Sequence, residues 1–254
     1  MKRFEDQVAI VTGGAAGIGR AYVEAFAHEG AIVVIADFNE EAGAQTTREL
    51  VSKGLAVEFL RCDVSNENDV KEVADTTFLR HGRIDVLVNN AQAGKDKMGP
   101  LTETSMDLMM LNLNTGYLGT FLFMKHVIPY MQKRGYGRIV NVASEAGVRG
   151  MPNFCAYGPQ KEAVRGITRV AANEYGKDGI TCNAICPSAA TPQARKWAED
   201  YPERAKAVLD AQAIKRMGDA AQDIAPVVLF LASKEAGFVT AQTIGVDGGK
   251  TVMP

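Results

Sequence analysis

QVAIVTGGAAGIG, residues 7–19, decides the fold. Its first six residues are largely apolar and β-branched with little alternation, as in a strand covered on both faces. Gly13, Gly17 and Gly19 then turn the chain into an amphipathic stretch that runs to residue 29. The same pattern repeats outward from this unit. Further strands are predicted at 31–36, 55–61, 84–90, 137–143, 180–185 and 242–247. Helices are predicted at 17–29, 40–53, 66–81, 103–134, 157–177 and 220–233. Strand and helix in strict alternation imply an α/β fold, a doubly wound parallel seven-stranded sheet flanked by helices on both faces, of Rossmann type. No low-complexity linker or repeat divides the chain, so 1–254 reads as a single domain. Residues 188–219 break the alternation at the carboxyl end of a strand, where such sheets bind ligands, and are expected to form a lid over the substrate.

Composition excludes several classes of function. The 28 basic and 30 acidic residues give a net charge of −2, which offers no electrostatic footprint for nucleic acid or an anionic membrane. No apolar run approaches the ~20 residues of a membrane span. The N-terminus reaches the glycine turn before any signal-like stretch, so a cytoplasmic location is expected. Cys62, Cys155, Cys182 and Cys186 form no Cys-x-x-Cys pair, and His28, His81 and His126 are scattered. That pattern predicts reduced thiols and no metal site.

The glycine turn carries the first chemistry. Gly13, Gly17 and Gly19 let backbone approach a pyrophosphate, and the helix N-terminus offers its N–H groups to the charge. Asp37 ends the second strand, eighteen residues beyond Gly19. A carboxylate there accepts both hydroxyls of an adenosine ribose and repels a 2′-phosphate. No basic residue sits inside the turn, and Phe38 follows the aspartate, which favours NAD over NADP.

Tyr157 and Lys161 carry the second. At i and i+4 they share a helix face. A phenol has a reference pKa of ~10. An ammonium about 4 Å away, at an effective dielectric of about 20, favours the phenolate by roughly 4 kcal/mol, about three pKa units before desolvation. Ser144, thirteen residues before the tyrosine, can hold a substrate oxygen. Together with the dinucleotide turn these residues point to hydride transfer.

The whole chain resembles the short-chain dehydrogenase/reductase family, in its simple one-domain form. The motifs are TGGAAGIG at 12–19, Asp63-Val64, NNA at 89–91, Ser144 with Tyr157-x-x-x-Lys161, Pro187, and VDGG at 246–249. The resemblance implies that Tyr157 is the general acid/base, that Lys161 lowers its pKa and binds the nicotinamide ribose, and that Ser144 bonds the substrate oxygen. It sets Asp63 and Val64 at the adenine, and Asn90 and Ile18 in the cofactor cleft. Pro187 to Thr191 would lie along the nicotinamide, with Thr191 a partner for its carboxamide. The implied activity is oxidation of a small alcohol or reduction of a ketone with NAD(H).

Four departures from the family pattern stand out. Gly116 falls where the family carries an asparagine that completes a proton relay; Asn112, or a local bulge presenting Asn114, is the expected substitute. Gln92 stands where glycine is usual. Pro159 lies between Tyr157 and Lys161 and sets a helix start close to Tyr157. Ser188 replaces a glycine after Pro187, and the loop to Thr191 is one residue short. Gly116 and this loop motivate a second reading, a nucleotide-binding scaffold subunit with impaired catalysis; the intact Ser144, Tyr157 and Lys161 argue against it. The pocket is expected between Gln92–Met98, Glu145–Phe154 and the lid. Met98, Val148, Met151, Phe154 and Trp197 would form an apolar wall, with Glu145, Arg149, Lys95 and Lys97 at its margin. A hydrophobic or aromatic secondary alcohol suits that wall. The resemblance implies pairing through the long helices near 103–134 and 157–177 into a homodimer or homotetramer, which their apolar residues Leu118, Leu122, Val164 and Ile167 permit.

Overall fold

β1 (Val8–Thr12) runs through the middle of the protein, and α1 (Gly17–His28) follows its glycine turn. The chain is described by a computed structural model covering residues 2–93 and 99–251, without the side chains at positions 192, 193, 197 and 204. Next come β2 (Ile32–Asp37), α2 (Glu40–Ser52), β3 (Val57–Arg61), α3 (Glu67–His81) and β4 (Val86–Asn89). α4 (Met106–Asn112) and α5 (Gly119–Arg134) lead to β5 (Gly137–Val142) and the short α6 (Glu145–Val148). Then follow α7 (Gly158–Tyr175), β6 (Ile180–Pro187), α8 (Pro192–Asp200), α9 (Pro202–Asp210), α10 (Ala225–Ala232) and β7 (Thr243–Val246).

All seven strands pair in parallel, in the order β3-β2-β1-β4-β5-β6-β7. The winding reverses between β1 and β4. That reversal opens a crevice at the carboxyl edge of the sheet. The seven strands lie within a residue or two of their sequence-based positions.

Successive strand residues point to opposite faces, and both faces are covered. Ala9, Val11, Val33 and Ile35 join Tyr22, Phe26, Val228 and Leu231 beneath α1 and α10. Ile10, Val34, Leu87 and Ile139 join Val70, Phe123, Val127 and Met131 beneath α3 and α5. This double burial is why the strands read as apolar runs. Among the described residues no helix is long and apolar enough to cross a membrane.

Two expectations need correction. The helix expected over 103–134 is not continuous: residues 101–103 form a 3₁₀ turn, and a π-helical turn, Leu113–Leu118, joins α4 to α5. Thr115 and Thr120 donate their hydroxyls to the carbonyls of Leu111 (2.7 Å) and Gly116 (2.8 Å) within this stretch, a back-bonding that loosens a helix. The apolar face expected for assembly also differs. Leu122 and Val164 are buried within the protomer, and Ile167 packs on the core. The exposed apolar residues of α4 and α5 are instead Met106, Met110, Leu111 and Phe121, with Leu118 on the π turn and Val170 on α7.

Candidate active site

The glycine turn is held from beneath by Thr12 and Asn90. The Thr12 hydroxyl accepts from the backbone N–H groups of Asn90 (2.9 Å) and Ala91 (3.0 Å). Asn90 Nδ2 donates to the carbonyls of Thr12 (3.0 Å) and Gly13 (3.1 Å). Gly13 adopts φ +64°, and an added Cβ would lie 2.9 Å from Ala91 Cα. At Gly19 a Cβ would run into the Gly13 carbonyl oxygen. The turn is therefore packed to a density that only glycine permits. Asp37 Oδ2 accepts from the Ala15 amide (3.0 Å) and Oδ1 from the Asn39 amide (3.0 Å), which pins the turn to the end of β2.

Above this turn lies a cleft of about 510 Å³. Gly13, Ile18, Gly19, Asp37, Asp63, Val64, Asn90 and Thr191 all line it. Gly17 sits at φ +58° with open space around it. The sequence did not single out Cys62, Ser65, Leu111 or Thr115, which also line the cleft.

Ser144 caps the N-terminus of α6, its Oγ accepting from the Ala146 amide (3.2 Å). Tyr157 caps α7, and Pro159 occupies the first turn, where its missing N–H costs nothing. One turn on, Lys161 is buried; its Nζ donates to the Val142 carbonyl (2.8 Å) and lies 5.6 Å from the Tyr157 ring centroid. Burial pushes the Tyr157 hydroxyl up to about 12, although a hydrogen bond with Ser144 favours the ionised form; Cys186 and Glu145 add to the rise. Desolvation of the phenolate is the largest cause, and it opposes the downward shift expected from Lys161.

These three residues line a second cleft of about 240 Å³, with Pro187, Met151 and Phe154. Ile18, Asn90, Gln92 and Thr191 line both clefts, so the two meet along one seam. Val148, expected in the pocket wall, packs instead against Ala143, Ala184 and Cys186. Arg149 stands outside and reaches Glu145 at 3.4 Å. Lys95, Lys97 and Met98 lie outside the described residues, as does the Trp197 side chain. The Thr191 hydroxyl accepts from the Ala194 amide (3.2 Å), and Ala194, on α8, lines the second cleft.

Sequence reasoning missed three contacts. Lys250 and Thr251, beyond β7, both reach the Glu145 carboxylate. Gln160, between Pro159 and Lys161, is buried and donates Nε2 to Gln92 Oε1 (2.8 Å). A Cβ on Gly116 would collide with Gln160 Oε1 and come within 2.6 Å of Gln92 Oε1. Asn112 is fully buried, and its Oδ1 accepts from Gln92 Nε2 (3.2 Å). A π turn lies beside Gly116, and of the two asparagines expected as substitutes Asn112 bonds to Gln92 on the cleft wall.

A doubly wound sheet with a glycine cradle and a serine, a tyrosine and a buried lysine at its carboxyl edge defines an oxidoreductase of alcohols and ketones that uses a nicotinamide dinucleotide. The chain belongs to the short-chain dehydrogenase/reductase family: the family model described as enoyl-(acyl carrier protein) reductase matches residues 13–251. It is 37% identical over 258 residues to a 12alpha-hydroxysteroid dehydrogenase of Clostridium sp., with 99% of each chain covered. It is 38% identical over 258 residues to a 2,5-dichloro-2,5-cyclohexadiene-1,4-diol dehydrogenase of Sphingobium indicum, with both chains fully covered. The crystal structure of levodione reductase superposes with a TM-score of 0.91 at 34% identity, over 98% of each chain.

Proposed function

We propose that the protein is an NAD-dependent dehydrogenase that interconverts a hydrophobic or aromatic secondary alcohol and its ketone. The observation that carries this reading is the shared seam: the cleft of the glycine turn opens directly onto the one that holds Ser144, Tyr157 and Lys161. The cradle that a Cβ at Gly13 or Gly19 would fill fits a dinucleotide. The bound nicotinamide supplies or accepts the hydride. The turn from Gly13 to Gly19 holds the pyrophosphate, Asp63 and Val64 the adenine, and Pro187 and Thr191 the nicotinamide end. Tyr157 gives or takes the proton of the alcohol oxygen, Ser144 bonds that oxygen, and Lys161 binds the nicotinamide ribose.

The Asp37 carboxylate on the cleft wall supports NAD, because it repels a 2′-phosphate. Arg61, whose guanidinium lies 5.1 Å from the Phe38 ring centroid, is paired with Asp69 (2.8 Å) and Glu40 (3.6 Å), so its charge is already balanced. Met151 and Phe154 support an apolar substrate, and the relatives' names are those of ring alcohols and a ring ketone. Residues 188–219 serve as the lid in this reading. The exposed apolar residues of α4, α5 and α7 are the surface for a homodimer or homotetramer.

The test is absorbance of the reduced nicotinamide with a panel of cyclic and aromatic secondary alcohols, supplied with NAD or with NADP. Reduction of NAD by at least one alcohol is expected. No reduction with any alcohol, and no oxidation of the reduced cofactors by the matching ketones, would sink the assignment.

A further inference from the structure

Three side-chain amides form a chain whose middle member, Gln92, lines the seam. Gln160 Nε2 donates to Gln92 Oε1 (2.8 Å), Gln92 Nε2 donates to Asn112 Oδ1 (3.2 Å), and Asn112 Nδ2 donates to the Leu108 carbonyl (3.0 Å). Gln92 Nε2 also donates to the Ala93 carbonyl (2.7 Å). Backbone carbonyls only accept, so the Leu108 and Ala93 oxygens dictate which way Asn112 and Gln92 face. A flipped Gln92 would set oxygen against oxygen at the Ala93 carbonyl. Gln160 must then present its nitrogen to Gln92, and its own Oε1 is left buried without a hydrogen-bond partner.

The space for this arrangement comes from Gly116. Any side chain there would displace the Gln160 and Gln92 oxygens. The π turn brings Gly116 to that point on the helix. The consequence falls on Gln92. A carboxamide has two N–H donors and two lone pairs on oxygen. Both Gln92 donors are spent, on Ala93 and Asn112, and one lone pair takes the Gln160 bond. One acceptor site is all that remains, on a side chain that lines both clefts.

We propose that Gln92 is a fixed hydrogen-bond acceptor at the seam, oriented by Gln160 and Asn112, and that it recognises an N–H or O–H donor of the bound pair. This rests on the dehydrogenase reading above. The donor belongs either to the carboxamide of the nicotinamide or to a hydroxyl of the substrate other than the one oxidised. Gln160 is a positioning residue, acting through Gln92.

Gln92→Met keeps the length of the side chain and removes both amide atoms. Gln160→Leu keeps volume in the buried site and releases Gln92. The dissociation constant of NADH by fluorescence titration and the KM of the best alcohol are measured for each. The expected result is a rise of about five- to tenfold in one constant for Gln92→Met, the worth of one neutral hydrogen bond. A rise in the NADH constant assigns the donor to the nicotinamide; a rise in KM alone assigns it to the substrate. Gln160→Leu moves the same constant, and the double variant is no worse than Gln92→Met alone. Both constants unchanged in Gln92→Met, or losses that multiply in the double variant, would overturn the proposal. If the wild-type protein binds NADH but turns over no alcohol, the activity assignment fails by itself. The NADH constant then decides: a rise in Gln92→Met upholds the acceptor, and an unchanged value overturns it.

Discussion

Tyr157 is set by two opposed effects, and burial is the larger. Its hydroxyl is pushed up to about 12, so at neutral pH it carries its proton and, in the role proposed for it, would protonate a carbonyl oxygen. Oxidation needs the ionised form, whose fraction grows tenfold for each pH unit below that value. Alcohol oxidation is therefore expected to accelerate steadily from neutrality into the alkaline range, while ketone reduction holds level and falls only as the tyrosine ionises. Steady-state rates in both directions against pH check this, and an oxidation rate that is level across that range would refute it. Tyr157→Phe removes the transferable proton and lowers turnover by about 10²–10⁴-fold, with dinucleotide binding retained in a fluorescence titration. The sign for stability follows from the same shift. The fold prefers the protonated phenol, so its contribution is complete below ~10, the unfolded reference, and is lost as pH rises through about 12. Tyr22 is raised by burial in the same way, and its hydroxyl has no hydrogen-bond partner among the described residues. An unpaired buried hydroxyl costs about 1–3 kcal/mol. Tyr22→Phe is thus expected to raise the unfolding free energy in urea by about 1 kcal/mol; a loss of that size would show that the hydroxyl is satisfied.

Glycines separate two kinds of helix, and the same substitution should have opposite signs in them. Gly19, in the first turn of α1, faces the Gly13 carbonyl and Asn90 Nδ2. Backbone cannot yield, so Gly19→Ala is expected to cost about 1–3 kcal/mol, as overpacking does. It also lifts the cradle off a pyrophosphate, weakening dinucleotide binding at least about tenfold, the loss of one charge-assisted bond. Gly166, in the middle of α7, has open space where its Cβ would go. Gly166→Ala should stabilise by about 0.5–1 kcal/mol through helix propensity alone. Denaturant midpoints of the two variants test the pair; equal effects would mean that packing at Gly19 is not what its glycine serves. Elements of this kind were legible in the sequence because the signal is local. Val8 to Val11 or Val33 to Ala36 read as buried strands since every side chain is covered on one face or the other. The π turn at Leu113–Leu118 was not legible as an element. Its residues keep a helical rhythm, and only threonine back-bonding and the contact of Gly116 with Gln160 distinguish it.

At the scale of the molecule, the site depends on topology that gathers distant parts of the chain. The carboxyl ends of β1, β2 and β4 supply Gly13, Asp37 and Asn90; those of β5 and β6 lead to Ser144 and Pro187. Motif spacing revealed these residues because each follows its own strand. The contacts that cross between elements had no such marker: Lys250 and Glu145 are far apart in sequence, and Gln160 reads as a spacer until Gly116 is set beside it. The same topology makes dinucleotide binding a property of the whole fold, since the cleft exists only when β1, β2, β3 and β4 are in register. A ligand that binds only this state stabilises it by mass action. At a hundred times its dissociation constant the gain is about 2.7 kcal/mol. For a domain of this size each kcal/mol raises Tm by roughly 2–4 °C, so saturating NAD is expected to raise it by about 5–10 °C. NADP at the same concentration should raise it less, because in the proposed binding mode the Asp37 carboxylate would face the 2′-phosphate. Thermal melts with each dinucleotide measure both. Equal shifts would remove the argument from Asp37, and no shift with either would mean that the cleft above the glycine turn does not hold a dinucleotide at all.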